Sequence, residues 1–176
     1  MTRDKPPSSE PSSPKADELI AADEEGLADL VPKLKRALAL RAEGEDDKAR
    51  ALFEEVLRVE PRIAEARLEL AHFAAMQGDW EEGQAHARLA IEILRRDGQW
   101  TEDVEPNVLL SFALNLLGEL LVRPLEEGDL FLTDRPRFDA TWNEASALFD
   151  AAVELDSNNV DARRNGTRYR RLEPEN

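Results

Sequence analysis

The stretch that decides the fold is Ala64–Leu94, AEARLELAHFAAMQGDWEEGQAHARLAIEIL. Apolar residues recur at helical spacing on both sides of the pair Gly78-Asp79. A glycine commonly follows the last turn of a helix, because it adopts a left-handed backbone without a steric penalty. The stretch therefore predicts two antiparallel helices that are joined by a tight turn.

The same pattern occurs 34 residues earlier in the chain. With this offset, Ala37 falls on Ala71 and Gly44 falls on Gly78. Small residues recur where two helices would contact closely, and a glycine beside an acidic residue recurs where the turn would lie. The second helix of the first copy ends before Pro61, because the residue that precedes a proline disfavours the helical conformation. Each copy is therefore predicted to form one helical hairpin.

A third copy is split by additional residues. Its first helix contains Leu117-Gly118, and Trp142–Ala145 matches Trp80–Gly83 of the second copy. Additional residues lie between the second and third copies, near 97–107, and inside the third copy, near 123–139. Long loops without secondary structure are uncommon in compact domains unless they are functional or disordered. These two insertions are therefore the features in which the chain departs most from a regular repeat.

The copies resemble the tetratricopeptide repeat, a unit of 34 residues that forms a helical hairpin. The resemblance covers about residues 30–172 and implies an all-α fold, an α-solenoid of about three helical hairpins. The repeats would span about 30–63, 64–97 and 107–159, and residues 160–172 would form a C-terminal capping helix. Arrays of this kind need a terminal helix with a polar outer face.

The N-terminal residues differ in composition from the rest of the chain. Residues 1–15 are rich in proline and serine and predict a disordered tail, whereas residues 16–29 predict an acidic leading helix. No signal peptide is recognisable, and we expect no apolar window of the length that a transmembrane helix needs. These observations lead us to expect a cytoplasmic protein without membrane insertion.

Composition and charge exclude several classes of function. The chain has 23 Lys and Arg residues against 38 Asp and Glu residues, which gives a formal net charge of −15. General attraction to nucleic acid or to an anionic membrane is therefore not expected. A basic cluster lies near the C terminus and consists of Arg163, Arg164, Arg168, Arg170 and Arg171. Ion pairs with neighbouring acidic helices, or exposure to water, explain this cluster more simply than binding of phosphate or nucleic acid. The sequence contains no cysteine, which excludes disulfides, thiolate metal sites and cysteine catalysis.

No catalytic or cofactor-binding motif is present in the sequence. The two histidines, His72 and His86, are too few for a zinc site, which needs three or four ligands. Nucleotide-binding glycine loops, serine hydrolase motifs and zinc protease motifs do not occur. Acidic residues are so abundant that no pair of carboxylates stands out as catalytic. We therefore expect no enzyme activity, no cofactor and no metal.

The resemblance implies a concave groove, built mainly by the first helix of each hairpin, that receives a peptide or helix of another protein. Helical spacing assigns the following residues to the exposed side of the predicted first helices: Val31, Leu34, Leu38, Arg41, Glu65, Leu68, His72, Met76, Asn115 and Glu119. Several of these side chains are apolar, and this favours an apolar or amphipathic partner segment.

Some proteins of this family bind the C-terminal carboxylate of a partner through lysine, asparagine and arginine side chains. In this sequence Leu34, Leu38 and Glu69 stand where such a clamp would have lysine or asparagine. A clamp for a chaperone tail is therefore not expected.

Two questions about this surface stay open at the level of sequence. The leading helix 16–29 or the insertion Leu121–Asp139 could fold into the groove and cover it. Trp100, in the first insertion, could anchor a partner or fold back over the array. Trp80 and Trp142, by contrast, recur at one repeat position, which predicts a role in packing.

The favoured function is a non-enzymatic protein-interaction module or adaptor. One alternative is a small acidic chaperone of the kind found in bacterial secretion systems, although the two insertions count against it. The other alternative is a regulatory subunit of an enzyme or of a nucleic-acid complex that would use the C-terminal arginines.

Overall fold

The computed structural model describes residues 29–172, which form eight helices and no β-strand. The helices are α1 (Leu30–Ala42), α2 (Asp46–Val59), α3 (Ala64–Gln77), α4 (Trp80–Arg96), α5 (Pro106–Glu127), α6 (Leu130–Thr133), α7 (Arg135–Leu155) and α8 (Val160–Arg168). The predicted tail, residues 1–15, lies outside the described residues, as does the predicted leading helix up to residue 28.

The helices form three consecutive hairpins and a final helix. α1 packs on α2, α3 on α4, and α5 on α7, and each hairpin also packs on the next one along the chain. α8 packs on both helices of the third hairpin. The predicted all-α solenoid of three helical hairpins with a C-terminal capping helix is thereby confirmed.

Left-handed glycines follow the first helix of the first two hairpins, as the sequence predicts. Gly44 has a φ angle of 79° and Gly78 has a φ angle of 76°. Next to Gly78, the backbone N–H of Asp79 donates to the carbonyl of Ala74 at 2.9 Å. The Asp79 carboxylate accepts from the N–H of Glu82 at the start of α4. One glycine–aspartate pair thus ends α3 and caps α4.

Glycines lie where the helices approach most closely. A Cβ atom added to Gly118 of α5 would lie 2.5 Å from Cε1 of Phe149 in α7. A Cβ atom added to Gly83 of α4 would lie 3.2 Å from the Ala71 carbonyl of α3 and 2.7 Å from the Leu120 side chain of α5. The absence of these side-chain atoms therefore lets α3, α4, α5 and α7 pack closely.

The core consists of two clusters of buried side chains. One cluster joins α1, α2 and α3 around the fully buried Phe53, and the other joins α3, α4, α5, α7 and α8 around the fully buried Phe149. Trp80 and Trp142 are partly buried and pack against the second cluster. The indole N–H of Trp142 donates to the carbonyl of Arg170 at 2.8 Å. Both tryptophans therefore contribute packing, although neither is fully enclosed.

The insertion near 123–139 mostly lengthens two helices and is not an irregular loop. α5 continues to Glu127 and α7 begins at Arg135, with the short helix α6 between them. Pro124 lies inside α5 and has no N–H, so the carbonyl of Leu120 loses its helical partner. Gln84 Nε2 of α4 donates to that carbonyl at 3.0 Å and replaces the missing hydrogen bond. This contact from another helix allows α5 to continue past the proline.

Within residues 29–172, α5 is the one helix that is long and apolar enough to cross a membrane. The most apolar window of 18 residues in α5 has a mean hydropathy of 1.6. The expectation that no such window exists is therefore wrong. More than half of this window, 56%, is buried inside the protein. Because α5 packs against α4, α7 and α8, we assign its apolar character to the core.

A buried polar network holds the start of α8. The Asn159 side chain accepts from the backbone N–H of Ala162 and donates to Ser111 Oγ at 2.9 Å. Ser111 Oγ in turn donates to the carbonyl of Ala152 at 2.7 Å. Beyond α8, Tyr169 is 3% exposed. The capping segment is therefore joined to both helices of the third hairpin.

Replacing Gly118 with alanine should destabilise the protein, although alanine is the better helix former by about 1 kcal/mol. The added methyl group would overlap the buried Phe149 ring, and overpacking of this kind costs about 1–3 kcal/mol. Gly166 in α8 is the matched control, because its nearest neighbour for a Cβ atom lies at 3.6 Å. Urea denaturation should give a lower free energy of unfolding for G118A and an equal or higher one for G166A. A G118A protein as stable as the wild type would contradict the close packing.

His86 is held in its neutral form by the fold. Its side chain on α4 is only 19% exposed. Burial, together with the guanidinium groups of Arg67 and Arg50, lowers the pKa of His86 to about 4. In the unfolded chain the imidazole has its ordinary pKa near 6.5.

Acidification should therefore reduce stability through His86. Between the unfolded and folded pKa values the unfolded chain binds one more proton, so the stability present above pH 6.5 is lost as the pH falls toward 4. The full pKa difference corresponds to a loss of about 3 kcal/mol. Between about pH 7 and about pH 4.5, the free energy of unfolding should fall less for H86Q than for the wild type. Parallel pH profiles of the two proteins would exclude this role of His86.

Candidate functional site

The first helices of the three hairpins and the start of α8 line a common groove. A cavity of about 530 Å³ is surrounded by Arg41, Leu68, Glu69, His72, Leu109, Phe112, Asn115, Leu116, Glu119 and Asp161. A second cavity of about 260 Å³ shares His72, Leu116 and Glu119 with the first and continues to Met76 and Trp80. We call these two adjoining cavities together the groove.

The groove presents large apolar side chains to the solvent. Phe112 of α5 is 51% exposed and Met76 of α3 is 60% exposed, whereas Leu68 is 8% exposed and belongs to the floor. Single apolar residues on a surface are common, but several in one concavity are typical of a binding site. The arrangement is therefore suited to contact with another apolar surface.

The charged residues of the groove are mostly acidic, and the one arginine in the larger cavity is already paired. Arg41 contacts Asp46 at 2.8 Å and Glu69 at 3.5 Å, and its guanidinium lies over the Phe73 ring. Burial raises the pKa of Glu69, and the nearby Arg41 charge offsets this effect only in part. Arg41 is therefore fixed in place by groups of its own chain.

The capping helix completes the groove through contacts with α5. Asn165 Nδ2 donates to Glu119 Oε1 at 2.7 Å and to Asn115 Oδ1 at 2.9 Å. Asn115 Nδ2 donates to the same Glu119 oxygen at 3.3 Å. At the edge of the groove, Arg164 pairs with Asp161. α8 thus orients groove residues as well as ending the array.

The structure places part of the predicted residue set in the groove: Arg41, Leu68, His72, Met76, Asn115 and Glu119. Val31 and Leu38 are half-buried and line neither of its two cavities. The participation of all these residues in partner binding stays a prediction.

Leu34 and Glu65 were predicted on the exposed groove face, and the structure corrects both positions. Leu34 is 0% exposed and lies in the core cluster of α1, α2 and α3 with Leu30 and Ala37. Helical spacing defines an apolar stripe, but it does not tell whether that stripe faces another helix or an open groove. Glu65 is 6% exposed, and its carboxylate contacts the connection between α4 and α5.

Several residues of the groove were missed in the sequence. Leu109, Phe112 and Leu116 lie on the same face of α5 as Asn115 and Glu119, at spacings of three and four residues. Extending that predicted face toward the N terminus of α5 would have found them. Asp161 belongs to α8, and no repeat pattern indicates that the capping helix reaches the groove.

The connection between α4 and α5 folds back on the first hairpin. Glu65 Oε1 accepts from the backbone N–H groups of Trp100 at 2.7 Å and Thr101 at 2.8 Å. The Trp100 side chain packs against the core cluster of α1, α2 and α3. Asp103 pairs with Lys35 of α1 at 3.3 Å. Of the two arrangements open for Trp100, the structure shows the one that folds over the array.

Replacing Glu65 with alanine should loosen this connection. The substitution leaves the N–H groups of Trp100 and Thr101 without their acceptor, at a cost of about 1–3 kcal/mol. Glu65→Gln is the matched control, because its amide oxygen can still accept from both groups. Hydrogen exchange at the Thr101 amide should be faster in E65A and close to wild type in E65Q. Equal protection in all three proteins would contradict the role assigned to Glu65.

The two histidines serve different parts of the molecule. His72 is exposed in the groove, whereas His86 is surrounded by charges of α2 and α3. Within residues 29–172, no group of three or more His, Cys, Asp or Glu residues is placed to hold a metal ion.

Among the C-terminal arginines, Arg164 and Arg168 form ion pairs with Asp161 and Glu126.

Comparison with known proteins finds the fold but no close relative. No protein-family model matches the sequence, and no curated protein matches it. The first TPR domain of Spaghetti (RPAP3), bound to the HSP90 peptide SRMEEVD, superposes with a TM-score of 0.56 at 13% identity, covering 85% of this chain and 94% of that domain. The Sgt2 TPR domain from Aspergillus fumigatus superposes with a TM-score of 0.53 at 17% identity, covering 93% and 91%.

The chain therefore has a fold similar to that of tetratricopeptide-repeat domains, and the resemblance indicated by its sequence is confirmed at the level of the fold. At identities of 13% and 17%, these superpositions show a common fold and do not show a common ligand. The ligand of this chain therefore has to be inferred from the residues of its own groove.

Proposed function

We propose that this protein is a non-enzymatic interaction module or adaptor whose groove receives an apolar or amphipathic segment of a partner protein. The observation that carries the proposal is the exposure of Phe112 and Met76 within one groove. A partner that covers these side chains removes apolar surface from water, which contributes about 25 cal/mol per Å² before the entropic cost of association is subtracted. Exposed aromatic side chains in a concave surface are common anchor points for a partner.

The length of the groove supports a bound segment rather than a compact small ligand. α5 contributes residues from Leu109 to Glu127, which at 1.5 Å per residue corresponds to about 27 Å. α3 contributes residues from Leu68 to Met76 along the facing wall. A helix that presents one apolar face to such a groove is a recurring mode of peptide recognition.

The insertion does not cover the groove. Phe131 of α6 packs edge-to-face on Phe138 of α7 at 5.2 Å. Leu130 lines a separate cavity with Gln84 of α4. Of residues 123–139, Arg123 and Glu127 line the smaller cavity. Within the part of the chain that the structure describes, the exposed side chains of the groove are therefore available to a partner.

The charges of the groove argue against an acidic peptide as its ligand. The peptide bound to the RPAP3 domain, SRMEEVD, contains three acidic residues. Four acidic residues line the groove of the present chain, Glu69, Glu119, Glu127 and Asp161, against two arginines, Arg41 and Arg123. Like charges that face one another across an interface weaken binding and exclude such partners. These charges support a partner segment without acidic character.

Replacing Phe112 and Met76 together with serine should abolish binding and leave the fold intact. Both side chains are mostly exposed, so the free energy of unfolding should change by no more than about 0.5 kcal/mol. Leu132→Ser is the matched control, because Leu132 is 84% exposed on α6 and lies outside the groove.

The measurement is selection of short random peptides, displayed on phage, against each purified protein. Wild type and L132S should enrich the same peptides, and the double serine variant should enrich none of them. Thermal melts establish that all three proteins are folded. The proposal fails if the wild type enriches no peptide, or if the folded double variant retains the wild-type peptides.

A further inference from the structure

The carboxylate of Glu119 is held in one orientation by two buried amides. Asn115 and Asn165 are each 6% exposed. The Glu119 Oε1 atom accepts from Asn115 Nδ2 at 3.3 Å and from Asn165 Nδ2 at 2.7 Å. Asn165 Nδ2 also donates to Asn115 Oδ1. The three groups form a closed network whose members come from α5 and α8. Glu119 is therefore positioned before any ligand arrives.

The second oxygen of this carboxylate has no hydrogen-bond partner among residues 29–172, and no ion pair there involves Glu119. Its two donors are neutral amides, so the negative charge of Glu119 is oriented but not neutralised. Arg41, the arginine of the larger cavity, is engaged by Asp46 and Glu69 instead. A partly exposed carboxylate with one satisfied and one unsatisfied oxygen is complementary to a cationic donor.

Glu119 lies where the two cavities of the groove meet, since it lines both of them. On one side the apolar surface includes Phe112 and Leu109, and on the other it includes Met76 and Trp80. A segment that follows the groove would therefore place apolar side chains on both sides of the residue that contacts Glu119.

We infer that Glu119 is the anchor for a lysine or arginine side chain at the centre of an amphipathic partner segment. This inference rests on the proposed function of the groove and adds the chemical class of its ligand. The cation donates to the unsatisfied oxygen of Glu119, and apolar residues on either side of it contact the two cavities. Because the network of Asn115 and Asn165 already orients the carboxylate, binding does not have to order it.

The first test is the sequence pattern of the peptides that wild-type protein enriches from a random library. We expect one position to be occupied by lysine or arginine, with apolar residues on both sides. The isosteric variant E119Q keeps an acceptor for Asn115 and Asn165 and removes the charge, so its selected peptides should lose the basic position. E92Q is the charge-matched control, because Glu92 is exposed on α4 and does not line the groove.

The second test is a double-mutant cycle with one enriched peptide and its Lys→Gln counterpart. E119Q should weaken binding of the lysine peptide about tenfold, as expected for a charge-assisted contact. The glutamine peptide should bind wild type and E119Q with similar affinity, and E92Q should match wild type for both.

The outcomes separate the inference from the proposal on which it rests. If wild type enriches peptides without a basic position, or if E119Q weakens both peptides equally, the role of Glu119 as an anchor is overturned while the groove remains a binding site. If wild type enriches no peptide at all, the proposed function itself fails and the inference fails with it.

Discussion

The contact between Gly118 of α5 and the Phe149 ring of α7 is the interaction on which the rest of the structure depends. The missing Cβ atom lets the aromatic ring lie directly against the backbone of α5. The same ring also stacks on Tyr169, with 5.5 Å between the ring centroids, so this side chain also locates the C-terminal segment. Since Asn115 and Glu119 lie on the same helix as Gly118, the depth at which α5 sits also determines the position of the groove.

α5 is also where the protein departs from a plain array of hairpins. Pro124 would ordinarily end or kink the helix, but the carbonyl that it leaves unpaired receives a hydrogen bond from Gln84. The helix therefore continues to Glu127, and its last turns extend one wall of the groove. A single side-chain amide from α4 thus allows the helix to continue past the proline and to lengthen the wall of the groove.

The capping helix shields the end of the core and takes part in the site. Buried polar groups are stable only when they are hydrogen-bonded, and the amides of Asn115 and Asn165 meet this requirement through each other and through Glu119. The stability of the last helix and the orientation of the groove carboxylate are therefore coupled. A terminal helix that only shielded the core would not need a buried asparagine hydrogen-bonded to residues that line the groove.

The sequence by itself determined the fold class, the order of the hairpins and the glycine turns, because a repeat period and a helical period are properties of local sequence. It also identified part of the groove, including Arg41, His72 and Glu119. Only the tertiary structure decided that Leu34 faces the core and that Glu65 holds the connection after α4. It also decided that α5 continues past Pro124 and that α8 reaches the groove. Each of these depends on contacts between distant residues, such as Gln84 with Leu120 or Asn165 with Glu119, and no local pattern encodes which distant partner will satisfy a buried polar group or cover an apolar stripe.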